Sequence, residues 1–145
     1  MNWFNPAGLV SVLILLVPNI IFALKNKDGF ENKYQNKAVE VLEQVGRFGC
    51  FILMFVSLPK VTFGFWFDGG KAVYVILSSV LLFLYCLGWV VFKSESSVRK
   101  SLYLSIVPSL LFLESGVLTL NLPLLALSVV FAVCHITISY KNAVL

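Results

Sequence analysis

The sequence predicts an all-α integral membrane bundle of five transmembrane helices, forming a single domain over residues 1–145. Two observations carry that reading. The runs 7–24, 45–58, 72–92, 102–120 and 122–140 are almost wholly apolar, with Arg47 and Glu114 as their only full charges. A helix crosses the hydrocarbon core with about 20 mainly apolar residues, and four of the runs approach or reach that length. Composition is the second observation: 59% of residues are hydrophobic and 12% are charged, a balance outside the soluble range. A water-soluble chain of 145 residues has too little interior to bury so much apolar surface. The bilayer must therefore act as solvent.

The first helix is expected over 6–24, with Pro6 in its first turn, where the missing N–H is harmless. Pro18 should kink it, and Asn19 follows directly. Residues 25–37 read as a polar loop with an Asp28-Gly29 turn. The second helix is expected over 38–58, with Asn36 as its N-cap and Pro59 as its stop. A glycine-punctuated aromatic segment, 59–71, leads into a third helix over 72–92. The fourth is expected over 102–120. Asn121-Leu122-Pro123 then turns tightly into a fifth over 122–140, which requires the last two helices to be antiparallel neighbours. The start of the chain, Met1-Asn2-Trp3-Phe4-Asn5-Pro6, has no basic region and no cleavage pattern, so it reads as a retained first helix.

Orientation follows from the basic residues. With five spans, Lys25, Lys27, Lys33, Lys37, Lys93, Arg99, Lys100 and Lys141 share one side, against Lys60 and Lys71 on the other. Lysine and arginine favour the cytoplasmic face, which places the N-terminus outside and the C-terminus in the cytoplasm. Trp3, Phe65 and Trp66 then fall at the outer boundary, and Trp89, Tyr103 and Tyr140 at the inner one, as amphipathic rings prefer. The net charge of +4 reads as topology and lipid headgroup contact, not nucleic-acid binding.

Polar side chains within the runs should face protein. Glu40, Glu43, Gln44 and Arg47 share one face of the second helix, and Glu43 and Arg47 have the favourable acid-before-base spacing. The competing reading is an amphipathic start lying in the headgroups, with Arg47 snorkelling. At a rise of 1.5 Å per residue, Asn19, Arg47 and His135 lie at similar depths, about 9 Å from the basic boundary. Asn19, Glu43, Arg47 and His135 are therefore candidate ligand- or ion-binding residues on the cytoplasmic side. Glu114 is a separate candidate nearer the outer boundary, with Asn121, Tyr74 and Asp68 as neighbours it could bond. A lone carboxylate in hydrocarbon costs several kcal/mol unless it finds a donor, a proton or water. Small and hydroxyl residues recur along the other helices: Gly8 and Ser11; Ser78; Ser101, Ser105 and Ser109; Ser128 and Ser139. Such stripes point to close packing and interhelical hydrogen bonds.

Cys50, Cys86 and Cys134 stand alone in different runs, with no zinc or redox spacing. They read as small hydrophobes, and neither a metal nor another cofactor is expected. No residue pattern marks a catalytic site.

The strings LVPNIIFALKNK (16–27) and EQVGRFGCFILM (43–54) resemble small, uncharacterised polytopic membrane proteins of bacteria, over roughly the first 40% of the chain. The resemblance implies a multi-pass protein of the bacterial cytoplasmic membrane and carries no activity or functional residue with it. The chain lacks the paired cysteines of quinone-linked disulfide enzymes and the internal repeat of small dual-topology exporters. Three function classes remain. The first is a small transporter, channel or ligand-binding bundle, oligomeric because five helices are few for a complete pathway. The second is an accessory subunit packed against a membrane partner. The third is a lipid-modifying enzyme using Glu43, Arg47 and His135.

Overall fold

The computed structural model describes residues 4–25, 36–92 and 98–144. It is all-helical, with α1 (Pro6–Lys25), α2 (Lys37–Phe55), α3 (Gly70–Val91), α4 (Val98–Leu118) and α5 (Leu122–Val144). Trp3, residues 26–35 with the expected Asp28-Gly29 turn, and residues 93–97 lie outside the described residues.

Asparagines start three of these helices. Asn5 Oδ1 accepts from Gly8 N at 3.1 Å, Asn36 Oδ1 from Val39 N at 3.3 Å, and Asn121 Oδ1 from Leu124 N at 3.2 Å. Each thereby satisfies one of the amides that a helix start leaves without an intrahelical partner. α1 runs through Pro18 without a break. α2 stops at Phe55, short of the expected 58. Val56 has turned to extended backbone and bridges Phe4 in antiparallel fashion, with Asn5 N donating to Phe55 O at 2.8 Å. α4 starts earlier than expected and ends at Leu118, because the turn takes Thr119 and Leu120. Leu120 sits at φ 45°, a left-handed conformation rare for a bulky side chain.

That turn is held by the α2–α3 connection. Phe63 N donates to Leu120 O at 3.1 Å, Gly64 N to Thr119 O at 2.8 Å, and Leu122 N to Val61 O at 3.0 Å. Trp66 Nε1 adds a bond to Val117 O at 2.8 Å. Asn121 also reaches sideways, its Nδ2 donating to Leu53 O at 3.1 Å. We refer to this end of the bundle as the turn end and to the opposite one, where Lys37 and Lys141 lie, as the basic end.

The helices form a closed ring in the order α1, α2, α5, α4, α3, with α4 also reaching α2 across the middle. The α4–α5 contact is the most extensive, as the short turn between them demands. α4 is the most enclosed helix and is buried on several faces. The core joins Val12 and Leu15 of α1, Cys50 and Met54 of α2, Leu82 and Tyr85 of α3, Leu111 and Phe112 of α4, and Leu124 and Phe131 of α5. Gly8 lets α1 and α2 touch: a Cβ there would stand 1.8 Å from Met54 O.

Three helices, Gly70–Val91, Val98–Leu118 and Leu122–Asn142, are long and apolar enough to cross a membrane. α1 contributes a shorter apolar stretch, Pro6–Ile21. α2 stands apart because it carries Glu40, Glu43 and Arg47. Large apolar side chains cover the outside of the ring, among them Val17, Phe48, Phe83, Val90 and Val133. A water-soluble surface has the opposite polarity.

The hydroxyl stripes behave differently from expectation. Ser11, Ser105, Ser109, Ser128 and Thr137 each bond a carbonyl of their own helix, and Thr119 bonds one of the helix it follows. This back-bonding satisfies a hydroxyl without a partner helix. Ser78 is the exception among them, donating from α3 to α4.

Candidate functional site

Two polar centres lie inside the ring. The first is near the basic end, between α2 and α5. Glu43 is 3% exposed. Its Oε1 pairs with the Arg47 guanidinium one turn along α2. The same oxygen lies 3.3 Å from Nδ1 of His135 on α5. The imidazole stacks on Phe131, with centroids 4.6 Å apart and planes 19° apart. Phe131 in turn meets Phe112 edge-on at 5.1 Å. The histidine is thus oriented by the aromatic core beneath it.

The approach of α5 to α2 depends on Gly46. A Cβ at Gly46 would stand 3.0 Å from Phe131 Cβ and 3.1 Å from its Cα and N. Gly46 lies roughly one turn from Glu43, and Phe131 one turn from His135. The backbone contact therefore sets the distance at which carboxylate and imidazole face each other.

Exposure is graded across this centre. The Glu43 side chain is 4% exposed, His135 22% and Arg47 35%. The anion is innermost, and the two nitrogen groups stand nearer the surface. Chemically, this arrangement allows a proton to pass between imidazole and carboxylate, and allows a guanidinium to receive an anion arriving from the basic end.

Asn19 does not join the centre. Its Oδ1 accepts from Tyr85 Oη at 3.0 Å and its Nδ2 donates to Leu15 O at 2.9 Å. Of the other polar residues on α2, Gln44 is exposed and Glu40 half-buried.

The second centre surrounds Glu114, nearer the turn end. Ser78 Oγ donates to Glu114 Oε1 at 2.5 Å. Ser115 adjoins both the carboxyl and the Tyr74 hydroxyl, and Asn5 Nδ2 donates to Tyr74 Oη at 3.3 Å. Of the expected neighbours, Tyr74 is present. Asn121 is committed to Leu53 and Leu124, and Asp68 is exposed.

Comparison with known proteins adds no relative. No family model matches the chain, and neither the curated proteins nor the solved structures yield a match. Function must therefore be argued from the two centres themselves.

The cysteines stay apart: Cys50 and Cys134 are buried and Cys86 is half-buried, all as free thiols. Among the described residues, no group of three or more His, Cys, Asp or Glu side chains is placed to hold a metal ion. Tyr74 was among the neighbours expected for Glu114, whereas Ser78 and Ser115 were not legible as its partners from sequence. The Ser78 stripe on α3 was visible, but nothing in the sequence sets the register of α3 against α4.

Proposed function

We propose that this chain is a five-span protein of the bacterial cytoplasmic membrane, with its N-terminus outside, and that it acts as a small transporter or channel. Glu43, Arg47 and His135 form its proton- or ligand-binding centre at the cytoplasmic end. The observation that carries this reading is the inverted polarity of α2. Val41, Leu42, Val45, Phe48 and Ile52 point outward and are exposed, while Glu43 points inward at 3% exposure. A helix lying in headgroups turns its charged face to water and its apolar face to lipid. Glu43 instead faces the bundle, which suits a helix with lipid outside and a polar side chain within.

The charges are not needed for packing. Buried ion pairs are commonly matched or exceeded in stability by apolar residues of similar volume. Retaining a carboxylate, a guanidinium and an imidazole together on two helices is better explained by proton or anion handling. A ring of five helices leaves little room for a solute path of its own, so the working unit is a homo-oligomer.

Purified protein in liposomes loaded with a pH-sensitive dye tests the reading. The wild type should speed the collapse of an imposed proton gradient, and Glu43→Gln and His135→Ala should each slow it to the rate of empty liposomes. Equal rates for wild type and empty liposomes would overturn it.

An accessory-subunit reading is favoured by one feature, the hydroxyls of Ser105, Ser109 and Ser128, which bond only their own helices. It predicts a stable complex with a second membrane protein and no flux by the isolated chain. A lipid-modifying activity would use the same three residues on a headgroup and would be read as a change in lipid mass.

A further inference from the structure

The Glu114 centre contains two enclosed oxygens that make no well-formed hydrogen bond. Glu114 Oε2 and Ser115 Oγ are both enclosed and have no hydrogen-bond partner among the described residues. Leaving such groups unpaired inside a protein is costly. Ser115 is 1% exposed and Tyr74 is 2% exposed, so water does not reach them freely. The case of Ser115 is telling. Ser105, Ser109 and Thr119 on and after the same helix all bond a carbonyl one turn back, whereas the Ser115 hydroxyl does not. It lies instead beside the Glu114 carboxyl and the Tyr74 hydroxyl.

We propose that Glu114, Ser78, Ser115 and Tyr74 form a binding site for a monovalent alkali cation, with sodium as the occupant. Every donor is an oxygen, the preference of hard cations. One carboxylate balances one positive charge, so the loaded site is neutral, as an apolar setting requires. A divalent ion would leave a net charge there. The cation would turn both unsatisfied oxygens into ligands, while Ser78 keeps its bond to Oε1 and Asn5 holds Tyr74 in place. The site is separate from the Glu43 centre. The inference rests on the membrane reading but not on transport, and it is tested at equilibrium without a gradient, so either can fail alone.

The test is thermal unfolding of the full chain in detergent at pH 8, in sodium, potassium or choline chloride at matched ionic strength. Sodium should raise the wild-type melting temperature in a saturable way, as a ligand of the folded state does. Glu114→Gln should abolish the response, and Ser115→Ala should weaken the apparent affinity at least tenfold. Equilibrium dialysis of the wild type with radioactive sodium gives a second measurement, expected to show one saturable site per chain. Equal melting in sodium and choline would overturn the proposal. So would a sodium response that survives Glu114→Gln, or stabilisation by acid alone with no sodium uptake in dialysis.

Discussion

Gly46 on α2 faces the main chain of Phe131 on α5, so closely that a Cβ would meet Phe131 N at 3.1 Å and Phe131 Cβ at 3.0 Å. One turn away along each helix, Glu43 and His135 meet at 3.3 Å. The contact between two residues without charge therefore sets the geometry of two residues that carry it.

A larger side chain at Gly46 should open that contact. Gly46→Val is expected to lower stability by about 1–3 kcal/mol, the usual cost of overpacking, and to separate His135 from Glu43. The chain has a single histidine, so its side-chain nitrogen resonances report the separation without assignment. Unchanged melting with unchanged resonances would contradict the contact.

Glu43 and Arg47 should be coupled. Removing Glu43 by Glu43→Ala strands the Arg47 charge, so the single variant should lose more stability than the double variant Glu43→Ala/Arg47→Ala. Contacting residues couple by about 0.5–3 kcal/mol. Arg47 is 35% exposed, and solvent screening places this pair toward the lower end of that range. A double-mutant cycle by unfolding in detergent measures it, and additivity of the two single effects would deny the pair.

At the turn end, Asn121 combines a helix cap with a bond to another helix. Asn121→Ala should cost about 0.5–2 kcal/mol for the cap and lose the bond to Leu53 O in addition. Asn121→Ser keeps a capping oxygen and removes the donor to Leu53 O without adding charge, so it should fall between wild type and alanine. A serine variant as unstable as the alanine one would show that the cap contributes nothing.

Gly8→Ala should be severe for its size. Its Cβ would stand 1.8 Å from Met54 O, a backbone atom that cannot rotate away. α1 or the end of α2 must shift, and a loss of about 1–3 kcal/mol is expected. Gly69→Ala is the useful contrast. Nothing stands within 4 Å of a Cβ there, and its φ of +80° makes any cost one of backbone strain alone. A Gly8→Ala protein that melts with the wild type would refute the close approach of α1 and α2.

Much of this architecture was legible in the sequence because apolar periodicity is local. The five helices, the Asn36 cap and the antiparallel α4–α5 pair could all be read from neighbouring residues. Helix ends were less legible where a distant segment decides them. α2 stops at Phe55 because Phe4 and Asn5 come to its end, and α4 stops at Leu118 because the 61–64 segment pairs with its turn. The polar centres show the same division. Glu43 and Arg47 are one turn apart on one helix, so their pairing was readable. His135 could be placed at a similar depth, but its bond to Glu43 depends on the rotation of α5 that Gly46 permits. Asn19 shared that depth too, yet its rotation on α1 turns it to Tyr85. Depth follows from counting residues, whereas azimuth follows from packing.

The central claim is that α2 crosses the membrane with Glu43 turned inward, and a pair of topology reporters tests it most directly. One is inserted in the 59–69 segment and the other fused after Leu145, in the intact chain in bacteria. The account predicts that the first is active only outside the cytoplasm and the second only within it. Cytoplasmic activity of the 59–69 reporter would leave α2 on the membrane surface and contradict the account.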